Sequence, residues 1–498
     1  MAKETLDKII VLGGGTSGLT SALILKTYFP KKEITIIESS AVGIIGVGEG
    51  STEHWADFCE VVGLDIEDSL VKTGGTIKAG IHFKNWGYPD YMHSTVNGYN
   101  QLAGDYMPRL ACMIAKNYDA IDMVQDRTRR NLVPKDWVDG NDICPVNNFH
   151  FNTFKTNDYL HEECYKRDIN VIDDKITEVL LDNDGFIKTL VGEKDSYNAD
   201  FFIDCTGFAR VLSKPLGSSW ISYKEHLKVN SAIAFPTGDT EEYPITTQCT
   251  AMDYGWMWNT PVLGRWGNGY VFDDRFIDFD QAQKEVEDYL GHSVEIAKRI
   301  KFDAGKIDRS WIKNCVSVGL SCSFVEPLES TAISQGILQA FLLSNMLNSW
   351  TKNNDRLVDL YNQKVDTMCE NILDFIVLHY ISPRQDTEFW KDLHDTRSEW
   401  IPKRLQEKLN DWSQRLPLDF EFDRKYTLFK AENWILTMHG MQLIDREAIK
   451  KQFYDMHPGI IEEAEGFVNF LETYEREHVK DYYPAKVGLL KWLENRHD

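Results

Sequence analysis

Residues 8–18 read Lys-Ile-Ile-Val-Leu-Gly-Gly-Gly-Thr-Ser-Gly, an apolar strand pattern that runs directly into a glycine-rich turn. The turn fits the pattern G-x-G-x-x-G, and the segment after it, to about Phe29, is typical of a helix. A second apolar strand pattern covers residues 34–38 and ends in a glutamate. Strand, glycine turn, helix and strand in this order predict a Rossmann-like, doubly wound α/β core that binds a dinucleotide.

The residues of this turn suit a bound pyrophosphate. Gly13 permits the tight turn, Gly15 lets the backbone approach the phosphates, and Gly18 lets helix and strand pack closely. The start of the helix supplies free N–H groups and the positive end of the helix dipole. Glu38 lies 20 positions after Gly18 (38 minus 18), where a carboxylate that binds the ribose is expected.

The motif alone does not separate FAD from NAD. A second glycine cluster, Gly46-Val47-Gly48-Glu49-Gly50, follows soon after and favours FAD, because long flavoprotein chains often return to the flavin with such a loop. The simpler alternative is an ordinary flexible loop.

Length, charge and cysteine content exclude several classes of protein. The 498 residues suggest roughly two to four domain-sized units, and 43% apolar residues suffice for a substantial core. The net charge of −23 argues against a nucleic-acid partner, because phosphate binding needs clusters of Lys and Arg. Nine cysteines without a Cys-x-x-Cys pair indicate a reduced cytoplasmic protein with no disulfide framework and no metal site. The apolar runs at 9–12 and 333–347 are too short or too polar for a signal peptide or a membrane span.

No repeat or low-complexity linker divides the chain, so we expect interleaved domains. The sequence Asp-Asn-Asp-Gly at 182–185 predicts a hairpin between two strands. A buried strand is expected at 201–205, and a further strand at 316–320 leads into a long helix. From about residue 355 the chain is predicted to be mostly helical.

A lysine lies in an alternating strand pattern over residues 77–83. The alternation places Lys78 on the face opposite Ile77 and Ala79. On this pattern alone a solvated lysine is the simpler interpretation. A lysine that acts as a nucleophile or hydrogen-bond donor would need a desolvated pocket.

The segment Phe324 to Ile333 precedes an apolar helix pattern, and Ser330 or Thr331 is its predicted N-cap. The free N–H groups just inside such a helix form a small anion site that suits a halide. Taken alone, Glu329 would be interpreted as compensation of the helix dipole.

Two tryptophans stand two positions apart in Gly255-Trp256-Met257-Trp258-Asn259-Thr260-Pro261. In an extended chain both indoles share one face and form a rigid aromatic wall, which ends at Pro261. The alternative is a pair of core tryptophans in a sheet.

Together these segments resemble the flavin-dependent tryptophan halogenases, in order and over most of the chain. The Lys78 strand combined with the tryptophan box is specific to that family, because aromatic hydroxylases with the same flavin fold lack the pair. The matching segments are the turn at 13–18, the loop at 46–49, the Lys78 strand through Asn85-Trp86, Phe202–Gly207, the tryptophan box, Leu263–Arg265, Gly269–Phe272 and Val325–Thr331.

The resemblance implies an FADH2- and O2-dependent halogenase with a core of the flavin monooxygenase type. In such enzymes a separate NAD(P)H-dependent flavin reductase supplies the reduced FAD, and a halide ion is oxidised to hypohalous acid. This oxidant travels through an internal channel to a small electron-rich aromatic substrate, an indole or a phenol. Homo-oligomers are common in the family, and neither a membrane nor a nucleic acid is involved. The expected FAD-binding core is 1–90, 151–215 and 300–350, and the expected substrate-binding region is 91–150, 216–299 and 351–498.

The resemblance also implies roles for single residues. Lys78 would hold the oxidant by a hydrogen bond or as a haloamine, at a pocket across the tryptophan wall from the flavin. Glu329 would orient the oxidant or accept the ring proton, and Ser330 would relay. Thr331 and the amide of residue 332 would hold the halide. The flavin contacts would be Gly13, Gly15, Thr16, Ser17, Gly18, Glu38, Gly48, Glu49, Leu320 and Ile333, and the gate that keeps the substrate from the flavin would be Trp256, Trp258 and Pro261.

Three departures from the family pattern leave the substrate and the preferred halide open. Ala332 replaces the usual glycine, and Thr260 replaces the isoleucine before Pro261. Asn433-Trp434-Ile435 stands where more tyrosine is expected. Two other hypotheses remain open: a flavin-dependent aromatic monooxygenase, which would need its own NAD(P)H site, and a flavin-binding protein in which Lys78 and Glu329 form a structural ion pair.

Overall fold

The computed structural model describes residues 6–43, 49–95, 106–116, 131–140, 148–423 and 425–495. Its strands are β1 Lys8–Leu12, β2 Glu33–Glu38, β3 Glu49–Gly50, β4 Thr76–Ile77, β5 Gly80–Lys84, β6 Tyr91–Ser94, β7 Leu132–Pro134, β8 Phe149–Phe151, β9 Asn170–Asp173, β10 Ile176–Leu181, β11 Ile187–Gly192, β12 Ser196–Tyr197, β13 Phe201–Asp204, β14 Trp220–Ser222, β15 Ser231–Gly238, β16 Thr246–Ala251, β17 Gly255–Val262, β18 Arg265–Phe272, β19 Lys298–Lys301, β20 Gly305–Ile307, β21 Trp311–Ile312, β22 Cys315–Ser317, β23 Ser323–Phe324 and β24 Tyr482–Pro484.

The helices lie between these strands and dominate the last third of the chain. They are α1 Thr16–Tyr28, α2 His54–Val62, α3 Ile66–Thr73, α4 Tyr106–Lys116, α5 Lys135–Gly140, α6 Thr153–Lys166, α7 Phe279–Leu290, α8 Thr331–Leu347, α9 Asp355–His379, α10 Glu388–Asp395, α11 Arg397–Trp400, α12 Lys403–Trp412, α13 Ala431–Gly440, α14 Arg446–Tyr454, α15 Pro458–His478 and α16 Ala485–Asn495.

The core sheet has six strands in the order β21-β22-β13-β1-β2-β9. Strand β1 runs parallel to both neighbours, with Ile10 opposite Thr35 of β2 and Phe202 of β13. Within β1 only Lys8 is exposed, and burial on both faces explains why the strand is continuously apolar. The predicted doubly wound α/β core is confirmed.

The second large sheet has seven strands in the order β19-β15-β18-β17-β16-β5-β6. Strand β17, which contains Trp256 and Trp258, is antiparallel to both β16 and β18. Strand β16 is parallel to β5, with Thr246 opposite Gly80. The tryptophan box and the segment around Lys78 are therefore held in one sheet, two strands apart.

The chain passes from one sheet to another at Lys78. Strand β4 pairs with β8, whereas β5 pairs with β16 and β6. Between them, the N–H of Lys78 donates to Asn148 O at 2.9 Å and the N–H of Ala79 donates to Ile245 O at 2.6 Å. The continuous strand predicted over residues 77–83 is interrupted here, because alternation of apolar residues does not reveal a change of pairing partner.

Local patterns predicted other elements well. The hairpin with its turn at 182–185 joins β10 and β11, and the buried strand predicted at 201–205 is β13. The strand predicted at 316–320 is β22, which ends earlier, because Gly319 adopts a left-handed φ of 65° and begins a 3-10 turn. The predicted helical C-terminal part is confirmed, apart from the short strand β24.

In the described ranges, no helix combines the length and apolar character needed to cross a membrane. The eight cysteines within those ranges are free thiols, and all but Cys205 are buried.

Candidate active site

The turn before α8 contains two consecutive residues in the left-handed conformation, Glu329 (φ 65°) and Ser330 (φ 56°). For residues with a Cβ this conformation costs about 1 kcal/mol or more each, so other contacts must hold it. Ser330 occupies the N-cap position of α8, as predicted, but its hydroxyl does not cap the helix. Instead Ser330 Oγ accepts a hydrogen bond from Lys78 Nζ at 2.9 Å.

Lys78 is completely buried. Its Nζ donates to Ser330 Oγ and to Ser51 O, each at 2.9 Å. Burial lowers the pKa of Lys78 to about 8, and the nearby carboxylate of Glu329 opposes a larger fall. The solvated lysine suggested by the strand pattern alone is therefore wrong, because the change of sheets turns this position inward.

Glu329 is buried between two histidines that the sequence did not point to. Its Oε2 lies 2.7 Å from His93 Nδ1, and its Oε1 lies 3.1 Å from His379 Nε2. Burial raises the pKa of Glu329, but its contacts with His93 and His379 outweigh burial and lower this pKa to about 2. Glu329 is therefore a carboxylate at neutral pH. The structure brings it close to Lys78 through Ser330, the next residue in the chain.

The two tryptophans belong to a hydrophobic core cluster and share one strand face, as their spacing predicted. Trp256 and Trp258 are buried on one face of β17, with ring centroids 6.1 Å apart. Trp256 Nε1 donates to Glu326 Oε1 at 3.1 Å, and Tyr380 OH donates to the same oxygen at 2.9 Å. Burial raises the pKa of Glu326 to about 8, which its two hydrogen bonds only partly offset. A protonated carboxyl group thus links the tryptophan wall to the Glu329 turn, a link that the sequence did not reveal.

Pro261 joins the wall to the Lys78 segment, because its carbonyl oxygen accepts a hydrogen bond from Thr76 Oγ1 at 2.7 Å. Gly50 packs against the same segment from another side. A Cβ at Gly50 would lie 3.0 Å from Lys78 Nζ and 2.8 Å from Ser330 Oγ. The predicted flavin contact Gly48 lies outside the described residues, whereas the backbone of Glu49 forms β3 with Gly50.

The glycine turn has the geometry that a pyrophosphate requires. Gly13 has a φ of 115°, and its N–H donates to Ile37 O at 2.8 Å. A Cβ at Gly18 would lie 1.9 Å from Gly13 O, so this glycine is needed for packing. A Cβ at Gly15 would meet none of the described atoms within 4 Å. Gly15 therefore faces the space that a bound dinucleotide would fill, and the residues present fit such a group.

Glu38 ends β2 beside this turn, as predicted. Its Oε2 lies 3.0 Å from Nε2 of His161 on α6, a residue that the sequence did not indicate. The hydrogen bond with Glu38 raises the pKa of His161. On the same helix, Asn157 Nδ2 donates to Gly14 O at 2.7 Å. Helix α6 therefore fixes both the turn and the carboxylate.

The N-termini of α1 and α8 lie side by side. Ser17 of α1 packs so closely that a Cβ at Gly319 would lie 2.3 Å from its Oγ, and one at Gly336 would lie 3.1 Å away. Two predicted flavin contacts are close in sequence to these glycines: Leu320 follows Gly319, and Ile333 lies three residues before Gly336.

Thr331 opens α8, and no described side chain caps that N-terminus. The first N–H groups of α8 are therefore suited to an anion. Ala332 lies inside the helix, where a Cβ is tolerated, so the missing family glycine does not strain this turn.

Comparison with known proteins gives one consistent match. The sequence profile of the family described as tryptophan halogenase matches residues 8–455. The chain is 29% identical over 453 residues to 7-chloro-L-tryptophan 6-halogenase KtzR of Kutzneria sp. (strain 744), covering 82% of this chain and 85% of the relative.

Solved structures agree over the whole length. The tryptophan halogenase from Shewanella frigidimarina NCIMB 400 superposes with a TM-score of 0.89 at 26% identity, covering 99% of this chain and 98% of the other. A tryptophan C-6 flavin-dependent halogenase (chlorinase) from taromycin biosynthesis superposes with a TM-score of 0.87 at 27% identity, covering 98% and 99%.

The two glycines of the turn should respond differently to an added methyl group. Gly15→Ala should leave folding stability unchanged but weaken FAD binding at least about tenfold, because the methyl group occupies the approach to the phosphates. Gly18→Ala should lower the melting temperature of the apoprotein, because its Cβ meets Gly13 O. Calorimetric unfolding of the apoproteins and titration with FAD test both. Equal loss of stability in the two variants would contradict this assignment.

Glu326 should make stability depend on pH. Its pKa is about 8 when folded and near 4.5 when unfolded, so between these values the folded protein binds the extra proton. The free energy of unfolding should then fall as pH rises through this window, by up to about 1.4 kcal/mol per pH unit. Glu326→Gln removes this titration. The difference between the melting temperatures of the variant and the wild type should therefore shift in favour of the variant as pH is raised from 5 to 8. A constant difference would exclude a protonated Glu326.

Proposed function

The chain belongs to the tryptophan halogenase family, and on this premise we propose that Lys78 and Glu329 transfer a halogen from hypohalous acid to an electron-rich aromatic ring. The protein is a flavin-dependent halogenase, and the match to halogenases over nearly the whole chain does not favour an aromatic hydroxylase. The observation that carries the proposal is the buried Lys78 ammonium, joined through Ser330 to the ionised Glu329.

Residues of the glycine turn and Glu38 would hold the FAD, and the first N–H groups of α8, at Thr331 and Ala332, would hold the halide. When bound in its reduced form, the flavin supplies two electrons to O2 while the halide supplies two more, which yields hypohalous acid and water. The adjacent N-termini of α1 and α8 support this arrangement, because both favour anions.

Lys78 would bind the oxygen of hypohalous acid. An ammonium has three N–H donors, and two of them are used by Ser51 O and Ser330 Oγ. The third remains for the oxidant, and in a buried site this hydrogen bond polarises the O–X bond strongly.

Lys78 and Glu329 together account for both protons that move in the transfer step. A ring carbon forms the C–X bond as the O–X bond breaks, and the leaving hydroxide takes a proton from Lys78 to become water. Glu329 accepts the proton that the ring loses. Ser330, hydrogen-bonded to Lys78, then returns that proton from Glu329 to the amine. The tryptophan wall keeps the substrate away from the flavin, so that hydroxylation does not compete.

The remaining components follow from the same proposal. The sequence contains no second G-x-G-x-x-G fingerprint, which supports a separate NAD(P)H-dependent flavin reductase as partner. The substrate is a small indole or phenol, the compartment is the cytoplasm, and a homo-oligomer is expected by analogy.

Product analysis tests this function. The protein is incubated with FAD, a flavin reductase, NADH, O2 and chloride, bromide or iodide over a panel of indoles and phenols, and the products are identified by mass. Halogenated products are expected. Hydroxylated products without halogen would indicate a monooxygenase, and the absence of both would indicate a flavin-binding protein.

Lys78→Ala should lower the halogenation rate by a factor on the order of 10² to 10³, because the oxidant loses its hydrogen-bond donor. Oxidation of the reduced flavin should continue at the wild-type rate. Lys84→Ala, a lysine of the adjoining strand β5, is the matched control and should halogenate normally. Retained halogenation in Lys78→Ala would remove Lys78 from the mechanism.

The pH dependence of the halogenation rate shows whether Lys78 acts as an ammonium or as a free amine. Since the pKa of Lys78 is about 8, the ammonium form is lost as pH rises through 8, and halogenation should fall over pH 7 to 9. Burial lowers the pKa of Lys78, and the buried Glu329 and Cys249 together with the half-buried Glu53 oppose that fall. The rate per mole of hypohalous acid formed is the quantity to measure. A rate that rises through pH 8 would instead favour a haloamine on the neutral lysine.

A further inference from the structure

We infer that Asn433 and His93 are positioning residues that fix the proton arrangement around Glu329, an inference that rests on the proposed role of Glu329 as proton acceptor. His93 lies on β6, and Asn433 lies in the first turn of α13. Asn433 belongs to the segment Asn433-Trp434-Ile435, and its side chain contacts His93.

The orientation of the Asn433 amide is determined by its surroundings. The backbone N–H of Lys430 can only donate, and it lies 2.7 Å from Asn433 Oδ1. Asn433 Nδ2 consequently faces His93 Nε2, at 3.1 Å. An amide nitrogen donates and cannot accept, so His93 Nε2 must be the acceptor.

This contact decides where His93 carries its proton. With Nε2 accepting, the single proton of the neutral ring lies on Nδ1, which is 2.7 Å from Glu329 Oε2. Glu329 therefore receives a hydrogen bond from a neutral imidazole. A second proton on Nε2 would face the Asn433 amide hydrogens, so Asn433 disfavours the imidazolium form.

A neutral donor and an imidazolium would have different effects on Glu329. Either would hold the carboxylate in place, but an imidazolium would also neutralise its charge and make it a weaker base. The neutral donor leaves Glu329 free to accept the ring proton. Asn433 thus keeps Glu329 a stronger base than it would be beside an imidazolium, although Asn433 does not contact the carboxylate.

The other groups that face Glu329 fit this arrangement. His379 touches the second oxygen, and burial lowers the pKa of His379. Burial raises the pKa values of Tyr91 and Cys249, so both are uncharged at neutral pH. Of the groups described around the carboxylate, Lys78 is then the one that is cationic near neutral pH.

Asn433→Asp tests the inference with a nearly isosteric change. The new carboxylate would accept from His93 Nε2–H and stabilise the imidazolium. Halogenation at pH 7 should be at least about tenfold slower than in the wild type, and the ratio of the two rates at equal pH should approach one as rising pH removes the second proton from the ring. Formation of hypohalous acid, followed by a reactive diketone trap, should match the wild type. Asn362→Asp, a buried asparagine bonded to Trp311 backbone groups, is the matched control and should not change the pH profile.

Substitutions of His93 provide a second readout. His93→Asn retains an N–H donor near the position of Nδ1 and should keep halogenation within about threefold of the wild type. His93→Leu removes the donor and should lower the rate at least about tenfold, and it should also lower the melting temperature, because the buried Glu329 carboxylate loses a partner. Equal rates in these two variants would overturn the role of His93 as a donor.

The outcomes separate this inference from the proposed function. If Glu329→Gln halogenates as fast as the wild type, Glu329 is not the proton acceptor and the proposed function fails. If Glu329→Gln is inactive while Asn433→Asp keeps the wild-type pH profile, the function stands and the inference about Asn433 is wrong.

Discussion

The buried carboxylate of Glu329 is contacted on both oxygens, by His93 on Oε2 and by His379 on Oε1. Removing an ion from water costs several kcal/mol unless polar groups surround it, so the contacts of His93 and His379 with Glu329 stabilise this turn. These contacts also hold Glu329 and Ser330 in a left-handed conformation that would otherwise be unfavourable. As a result Ser330 is directed at Lys78 instead of capping its own helix. The relative position of the two reactive groups depends on this one pairing.

The end of α9 supports the site at two points. His379 contacts Glu329, and Tyr380 donates to Glu326, which also accepts from Trp256. The base and the aromatic wall therefore share one support, and movement of that helix end would disturb both. Glu326 and Glu329 are three residues apart, yet their pKa values shift in opposite directions. Burial raises the pKa of Glu326 and keeps it protonated, whereas contacts with two histidines lower the pKa of Glu329 and keep it ionised.

The sequence predicted what local patterns determine. Strand, turn and helix of the dinucleotide site lie within 30 residues, and the N-cap at Ser330 follows from its neighbours alone. The strand pattern did not show the burial of Lys78, which the family resemblance alone implied, because burial depends on the strands with which β4 and β5 pair. The supports of Glu329 come from far away in the chain: His93 is 236 positions from Glu329 and 340 from Asn433. Periodic patterns in a sequence do not reveal contacts between such distant residues. The family resemblance identified Lys78 and Glu329, but it did not identify the residues that hold them in position.

The most direct test of this account is a double-variant cycle on the halogenation step. Single-turnover rates would be measured for the wild type, Lys78→Ala, Glu329→Gln and the double variant, each per mole of hypohalous acid formed. If the two side chains act in one transfer step, the double variant should be about as slow as the slower single variant, because either loss already removes the step. Losses that multiply in the double variant would mean that Lys78 and Glu329 act independently, and would contradict the account.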